Sequence, residues 1–186
     1  MAGAPQILDR KIEFSTPWFQ IAAKQVAGQS APYYALRLQD YVSIVALTAQ
    51  QELVLVRQFR PAVERHTLEL PSGTVERNET PAQSARRELA EECGFDAAEP
   101  ELLGALLSDT GRLENRLWCF YATGVSPLAG GHVPEPGLEP VLVPANRLPE
   151  LLVEGQFDHA LHLAVLMLAV AKHGPEFLAL SSRKGP

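Results

Sequence analysis

The sequence predicts an α/β fold in which helices cover both faces of a mixed β-sheet. Two β-rich runs, 41–48 and 52–59, are separated by a short, mostly polar segment, which is typical of a hairpin. The continuously apolar stretch 53–56 indicates a strand that is covered on both sides. Helical patterns then alternate with further strands, and this order of elements is typical of an α/β/α sandwich.

The first helix is predicted over 81–93, because signals for both of its ends are present. Thr80 is a favourable N-cap, Pro81 suits the first helical position, and Gln83 completes a capping box with Thr80. Gly94 follows directly and is typical of a helix C-terminus.

The remaining elements follow the same alternation. Further strands are predicted at 101–107, 116–123 and 140–143. A short helix is predicted at 149–154, and a longer, mostly apolar one at 159–173. We expect Asp158 to cap this last helix and a Gly-Pro pair to end it.

Segment 126–140 is predicted to be a loop. It contains four prolines, three glycines and no periodic pattern, and its acids are Glu135 and Glu139. A loop of this length exceeds what a simple connection needs, which indicates a functional role.

The composition limits the classes of function. The chain has 186 residues, 46% of them hydrophobic, which is enough for one substantial core. Its formal net charge is -6, so binding of nucleic acid through a basic surface is not expected. An acidic protein that acts on an anionic substrate needs a cation between the two, and the sequence therefore indicates a metal.

The sequence also predicts a cytoplasmic protein without a membrane segment. The first ten residues lack the apolar core of a signal peptide. The most apolar run, between Asp158 and Lys172, is 13 residues long and therefore too short to span a bilayer. Cys93 and Cys119 show no CxxC spacing, as expected for reduced thiols in the cytosol.

Three carboxylates share one face of the first helix. Glu88, Glu91 and Glu92 are spaced i, i+3 and i+4, so they repel one another unless a hard divalent cation compensates their charge. On spacing alone, an ordinary solvated face with ion pairs to the two preceding arginines is the favoured alternative.

The whole segment 73–95 resembles the Nudix box and thereby favours the metal. Its nine matching positions are Gly73, Glu79, Arg87, Glu88, Leu89, Glu91, Glu92, Gly94 and Phe95. The resemblance implies a Nudix α/β/α sandwich in which this segment forms a loop, a helix and a loop. It implies that Glu88 and Glu92 are the principal metal ligands, that Glu91 lies close by, and that Arg87 pairs with Glu79.

Two neighbouring motifs resemble the ADP-ribose pyrophosphatase and nucleotide-sugar hydrolase branch of that family. They are VRQFRP at 56–61 and ELPSG at 69–73. The resemblance implies that Arg60 binds a substrate phosphate, that Glu69 contacts substrate or metal, and that the Ser72 carbonyl is a metal ligand. The alternatives are a solvated arginine at a strand end and a glutamate on the surface of a strand.

The chain departs from this branch after the box. A Ser-Pro-Gly segment is usual there, whereas residues 108–112 read SDTGR. Asp109 and Arg112 therefore stand where substrate discrimination is expected. Trp18 is a candidate for stacking on the base, with a core or interface tryptophan as the alternative.

The expected reaction is Mg²⁺-dependent hydrolysis of ADP-ribose or another nucleoside diphosphate sugar, with Mn²⁺ as a substitute for Mg²⁺. The general base is expected at Glu139 or Glu135, and Glu91 is the rival. The open alternatives are hydrolysis of nucleoside triphosphates or dinucleoside polyphosphates, and a non-catalytic nucleotide sensor on the same fold.

The expected organisation is an N-terminal β extension, residues 1–40, followed by the Nudix domain, residues 41–186. The extension and the apolar last helix both favour burial in a homodimer. His159 and His162 are spaced i, i+3 on that helix without a third ligand in sequence, so a solvated edge is favoured over a zinc site.

Overall fold

A computed structural model describes residues 3–175; residues 1–2 and 176–186, at the outer ends of the two predicted parts, lie outside the described residues. The strands are β1 (Ile7–Ser15), β2 (Gln20–Val26), β3 (Tyr33–Arg37), β4 (Tyr41–Thr48), β5 (Glu52–Arg60), β6 (Arg65–Glu69), β7 (Ser72–Thr74), β8 (Phe95–Asp96), β9 (Glu101–Leu107), β10 (Arg116–Pro127) and β11 (Leu138–Pro144). The helices are α1 (Pro81–Cys93), α2 (Leu148–Val153) and α3 (Ala160–His173).

One compact unit combines the described part of Met1–Asp40 with Leu106–Leu117. Its three strands form an antiparallel sheet in the order β1-β2-β3. Glu114 joins the second segment to this sheet, because its carboxylate pairs with Lys24 at 2.6 Å and with Arg37 at 3.1 Å. The sequence places 106–117 in the other part of the chain, so the division after residue 40 stays a prediction.

Strand β1 is exposed along its whole length. Its large apolar side chains include Leu8, which is 63% exposed, and Phe14, which is 54% exposed. An edge strand with uncovered apolar side chains is a surface that other chains can bind.

The second compact unit consists of Tyr41–Ala105 and the described part of Trp118–Pro186. It contains segment 73–95. Strands β4 and β5 lie at the centre of a sheet ordered β11-β5-β4-β10-β8, with β6 paired to β5 and β7 to β4. The predicted hairpin between β4 and β5 is present, and Gln51 takes a positive φ of 61° in its turn. The apolar stretch 53–56 is fully buried, as predicted for a strand covered on both faces.

Helices cover both faces of this sheet. Ala85 and Leu89 of α1 share a buried cluster with Val42, Ile44 and Val56. Val45 and Leu47 alternate with these strand residues and therefore face the opposite side, where α3 packs against β4. No helix within residues 3–175 is long and apolar enough to cross a membrane.

Both predicted ends of α1 are confirmed. The Thr80 side chain accepts a hydrogen bond from the Gln83 N–H, and the Gln83 side chain accepts one from the Thr80 N–H. Gly94 ends the helix with a φ of 73°, which favours glycine because a β-carbon is strained there.

The predicted loop 126–140 is shorter in the structure, because β10 extends to Pro127 and β11 begins at Leu138. Glu139 therefore lies on a strand. Composition misleads at this position because β11 is an edge strand, where Pro140 is tolerated without a full hydrogen-bond ladder. The prediction that Asp158 caps α3 is also wrong: the N-cap is His159, without a side-chain hydrogen bond, and Asp158 forms an ion pair with Arg65.

Candidate active site

Two of the three carboxylates on α1 are largely shielded from water, since Glu92 is buried and Glu88 is partly buried. Glu92 is 9% exposed and the Glu88 side chain 12%, whereas the Glu91 side chain is 52% exposed. The alternative of an ordinary solvated face therefore applies only to Glu91.

The turn that leads into β7 contacts the carboxylates of both Glu92 and Glu88. The Ser72 N–H donates to Glu92 Oε2 at 2.9 Å. Gly73 leaves room beside it for the Glu88 carboxylate, which a β-carbon at that position would displace. The sequence thus places the 72–73 backbone directly against two acidic side chains.

These carboxylates have raised pKa values. Burial raises the pKa of Glu92 to about 8; the hydrogen bond from Ser72 lowers it, and the charge of Glu88 raises it again. Burial likewise raises the pKa of Glu88. A hard divalent cation would neutralise this pair, and the set of Glu88, Glu92 and the Ser72 carbonyl offers the oxygen ligands that Mg²⁺ and Mn²⁺ prefer.

Arg87 connects the acidic residues of the box. Its Nε atom donates to both carboxylate oxygens of Glu79, at 3.0 and 3.1 Å, so the predicted pair is present. Its Nη1 atom donates to Glu88 at 2.8 Å and to Glu91 at 2.9 Å. A further bond to the Thr74 carbonyl ties the guanidinium to the end of β7. The arginine thereby fixes the loop and offsets part of the negative charge.

A second pair lies on β5 and β6. Glu69 is 0% exposed, so the alternative of a surface glutamate is wrong. Arg60 donates to it through Nε at 2.8 Å and Nη2 at 2.7 Å, and Thr67 Oγ1 donates at 2.6 Å. Burial raises the pKa of Glu69, but the hydrogen bonds from Arg60 and Thr67 outweigh it and bring that pKa to about 2. The Arg60 side chain remains 36% exposed and is therefore accessible to a phosphate.

Tyr41 brings the two groups of charges into one site. Burial raises the pKa of its hydroxyl; Arg60 lowers it, and Glu92, Glu88 and Glu69 raise it. The phenol thus lies within the electrostatic field of both the α1 carboxylates and the Arg60–Glu69 pair. No sequence pattern marks Tyr41 as part of a site, because an aromatic residue at the start of an apolar strand is typical of the core.

The expectation of a solvated edge at the α3 histidines is wrong for His162, which is 2% exposed. Its Nδ1 atom accepts a hydrogen bond from the Leu70 N–H at 3.1 Å, and burial lowers its pKa to about 3, so the ring is neutral. His159 stacks on it with ring centroids 3.9 Å apart. Glu69 supplies the third nearby group that the sequence lacked, within 4.8 Å of both.

This cluster is poorly suited to a metal ion. The two imidazole planes are inclined by only 19° and lie face to face, so their in-plane lone pairs do not converge on one point. Both oxygens of Glu69 already accept hydrogen bonds from Arg60. The α1 carboxylates are therefore the better metal site.

The two predicted candidates for the general base, Glu139 and Glu135, have surroundings of their own. Glu139 is paired in register with Arg57 on β5, and its carboxylate lies 3.8 Å from the Arg57 guanidinium. It lines a cleft with Arg57, His66 and Gln156. Glu135 is exposed in the loop between β10 and β11. Within residues 3–175, neither residue forms an ion pair or side-chain hydrogen bond with a basic or polar group of the box, and their roles stay predictions.

The loop that carries Glu135 is nevertheless anchored to the end of α1. The Leu128 N–H donates to the Gly94 carbonyl at 2.9 Å. The His132 side chain also packs against Gly94, where an added β-carbon would come within 2.5 Å of it. The start of the loop is thus attached to Gly94, two residues beyond Glu92 in the chain.

Asp109 and Arg112, the expected substrate discriminators, and Trp18, the candidate for stacking on the base, lie in the compact unit that contains β1 to β3. Arg112 donates to Tyr33 Oη at 3.1 Å, and its guanidinium lies 5.4 Å from the centre of the Tyr33 ring. Asp109 accepts a hydrogen bond from the Gly111 N–H at 2.7 Å and so shapes the turn. Trp18 is 78% exposed, which rules out a core position within this chain.

Comparisons with known proteins show which proteins this chain is similar to. The NUDIX domain model matches residues 37–159. The chain is 30% identical over 99 residues to the methanol dehydrogenase activator of Bacillus methanolicus, covering 53% of this chain and 54% of that one. It is 33% identical over 101 residues to the ADP-ribose pyrophosphatase of Bacillus subtilis, covering 54% and 55%. The chain thus matches about half the length of these relatives.

A solved structure extends the likeness over nearly the whole chain. The crystal structure of an ADP compounds hydrolase superposes with a TM-score of 0.77 at 22% identity, covering 94% of this chain and 98% of that one. This likeness confirms the predicted α/β fold with its mixed sheet.

The first test concerns the cost of the buried Glu92 carboxylate. In the folded protein this group keeps its proton up to about pH 8, whereas in the unfolded chain it releases the proton near pH 4.5. The free energy of unfolding of the metal-free protein should therefore fall as the pH rises between these values. Glu92→Gln removes the titration and keeps an oxygen that can accept from Ser72, so it should melt higher than the wild type in EDTA at pH 8.

Melting curves in EDTA from pH 5 to pH 9 measure this difference, with Glu150→Gln on the exposed side of α2 as the matched control. The advantage of Glu92→Gln should grow with pH, level off above pH 8, and shrink when Mg²⁺ is added. A difference that does not change with pH would show that the carboxylate is not ionised at a cost.

Proposed function

The chain belongs to the Nudix family, and on that premise we propose that it is a hydrolase that cleaves the diphosphate linkage of ADP-ribose or another nucleoside diphosphate sugar in a Mg²⁺-dependent reaction. The products are a nucleoside monophosphate and a sugar phosphate. The observation that carries this proposal is that Glu88 and Glu92 lie against the 72–73 turn, with Glu92 buried and the Glu88 side chain only 12% exposed.

The residues of the box fit a divalent cation. Glu88, Glu92 and the Ser72 carbonyl would hold it, and Glu91 lies on the same helical face. Bound Mg²⁺ supplies charge neutralisation and Lewis-acid chemistry at the diphosphate. Arg60, whose guanidinium is oriented by Glu69, binds a phosphate oxygen of the substrate. A carboxylate of the chain takes the proton of the attacking water.

The proposal of a nucleotide-sugar substrate rests on the ELPSG motif and on the names of the relatives. In the N-terminal unit, Asp109 and Arg112 are the proposed discriminators of the sugar and Trp18 stacks on the base. A net charge of -6 argues against nucleic acid as a partner. We place the reaction in the cytoplasm, since Cys93 and Cys119 are buried free thiols.

A substrate panel tests the activity itself. With Mg²⁺ or Mn²⁺, we expect monophosphate release from ADP-ribose, ADP-glucose, UDP-glucose or GDP-mannose in preference to nucleoside triphosphates. Glu92→Gln should lower this activity by orders of magnitude because a ligand charge is lost, whereas the surface control Glu150→Gln should not. Preferred turnover of triphosphates or dinucleoside polyphosphates would refute the substrate class, and nucleotide binding without turnover would indicate a sensor.

The general base can be identified by comparing three conservative variants. We propose Glu139, because β11 holds it rigidly and its ion pair with Arg57 is loose. Glu139→Gln should then lower kcat by roughly 100-fold or more and leave KM nearly unchanged. Arg57→Gln is the control, since it breaks the same ion pair but keeps the carboxylate. Loss of turnover only in Glu91→Gln would place the base in the box, and loss only in Glu135→Gln would place it in the anchored loop.

We also propose a homodimer that covers the exposed apolar side chains of β1. Light scattering at micromolar concentration should give twice the mass of the 20.3 kDa chain. Phe14→Asp should shift the protein towards the monomer, because a charge at an apolar interface is costly. Val133→Asp, at a 90% exposed position outside that strand, is the matched control. A wild-type monomer at that concentration would rule out the dimer.

A further inference from the structure

The short break between β6 and β7 contains two buried residues, Leu70 and Pro71. A buried backbone group needs a hydrogen-bond partner, and a break in a strand removes the usual one. Pro71 has no N–H, and its carbonyl accepts from the Ile44 N–H at 3.1 Å. The Leu70 N–H donates instead to Nδ1 of His162, which lies 92 residues later on α3. One side chain of a distant helix thus completes the hydrogen bonding of this break.

The residues on both sides of the break touch the predicted catalytic groups. Before it, Glu69 orients the Arg60 guanidinium. After it, the Ser72 N–H binds the Glu92 carboxylate, and Gly73 packs against Glu88. A shift of this backbone by a fraction of an ångström would therefore move both the phosphate-binding arginine and the metal-binding carboxylates.

His162 is held in the orientation that this bond requires. His162 is only 2% exposed. His159 stacks against one face of its ring, with ring centroids 3.9 Å apart. Phe157 lies beside it, with ring centroids 6.3 Å apart. Because Nδ1 accepts a hydrogen bond from the Leu70 N–H, the ring carries its own proton on Nε2, and only the neutral ring can act in this way.

We infer that His162 is a positioning residue of the active site, which fixes the backbone of the 69–73 segment through the Leu70 N–H. It touches neither substrate nor metal. This inference rests on the proposed function for its effect on turnover, whereas its effect on the backbone and on metal binding can be measured without any substrate.

Two substitutions separate the hydrogen bond from the volume of the ring. His162→Asn places Oδ1 at the same number of bonds from the α-carbon as Nδ1, so it can still accept from Leu70. His162→Leu fills the space but leaves a buried N–H without a partner. Val165→Ala, one turn further along α3 and fully buried, is the control, since it loses packing but keeps the hydrogen bond from Leu70 to His162.

We expect the Leu70 amide to exchange its hydrogen slowly in the wild type, His162→Asn and Val165→Ala, and faster in His162→Leu, when NMR follows the metal-free proteins. Mn²⁺ affinity and kcat should fall about 10- to 100-fold in His162→Leu, the range typical of residues that orient metal ligands. His162→Asn should retain Mn²⁺ affinity and kcat close to those of the wild type. Val165→Ala should lower the melting temperature and leave both unchanged.

Each result bears on one claim. If His162→Leu and the wild type have equal Leu70 exchange, or equal Mn²⁺ affinity, the positioning role is refuted. If Val165→Ala loses as much affinity as His162→Leu, the effect is general destabilisation and the inference is also refuted. If the wild type binds Mn²⁺ but hydrolyses no diphosphate, the proposed function fails, and exchange and affinity still decide the role of His162.

Discussion

The shielding of Glu88 and Glu92 from water is the constraint on which the rest of the site depends. Two carboxylates next to each other on a helix are costly to ionise away from water, and this cost appears as raised pKa values. The chain does not avoid the cost by pairing each acid with its own base. Arg87 is shared by Glu79, Glu88 and Glu91, and within the described residues Glu92 has the Ser72 N–H as its recorded hydrogen-bond donor. A site with excess buried negative charge is one that a cation stabilises.

The 69–73 segment connects the α1 carboxylates to the rest of the fold. It contacts α1 through Ser72 and Gly73, β5 through Glu69, and α3 through Leu70. Three elements therefore converge on five consecutive residues, and the sheet supplies the rigidity that their geometry needs. The Arg60–Glu69 pair illustrates the result, because the ionised form of Glu69 is retained in a buried place by two directed hydrogen bonds from one arginine.

Local patterns predicted most of this arrangement, and long-range contacts account for what they missed. The capping box at Thr80, the αL glycine at 94 and the β4–β5 hairpin depend on neighbours in sequence, so spacing was sufficient. His162 and Tyr41 gain their roles from residues that only folding brings near, and no periodicity marks them. The proline content of 126–140 predicts a loop at Glu139, whereas this residue lies on an edge strand, which tolerates proline as well.

The most direct test of this account is a crystal structure with Mn²⁺, located by its anomalous scattering. We predict that the principal Mn²⁺ site has the carboxylates of Glu88 and Glu92 and the carbonyl of Ser72 as its protein ligands. The stacked His159 and His162 rings beside Glu69 should hold no ion. Mn²⁺ bound at that histidine cluster, or a principal site that lacks both α1 carboxylates, would contradict the account.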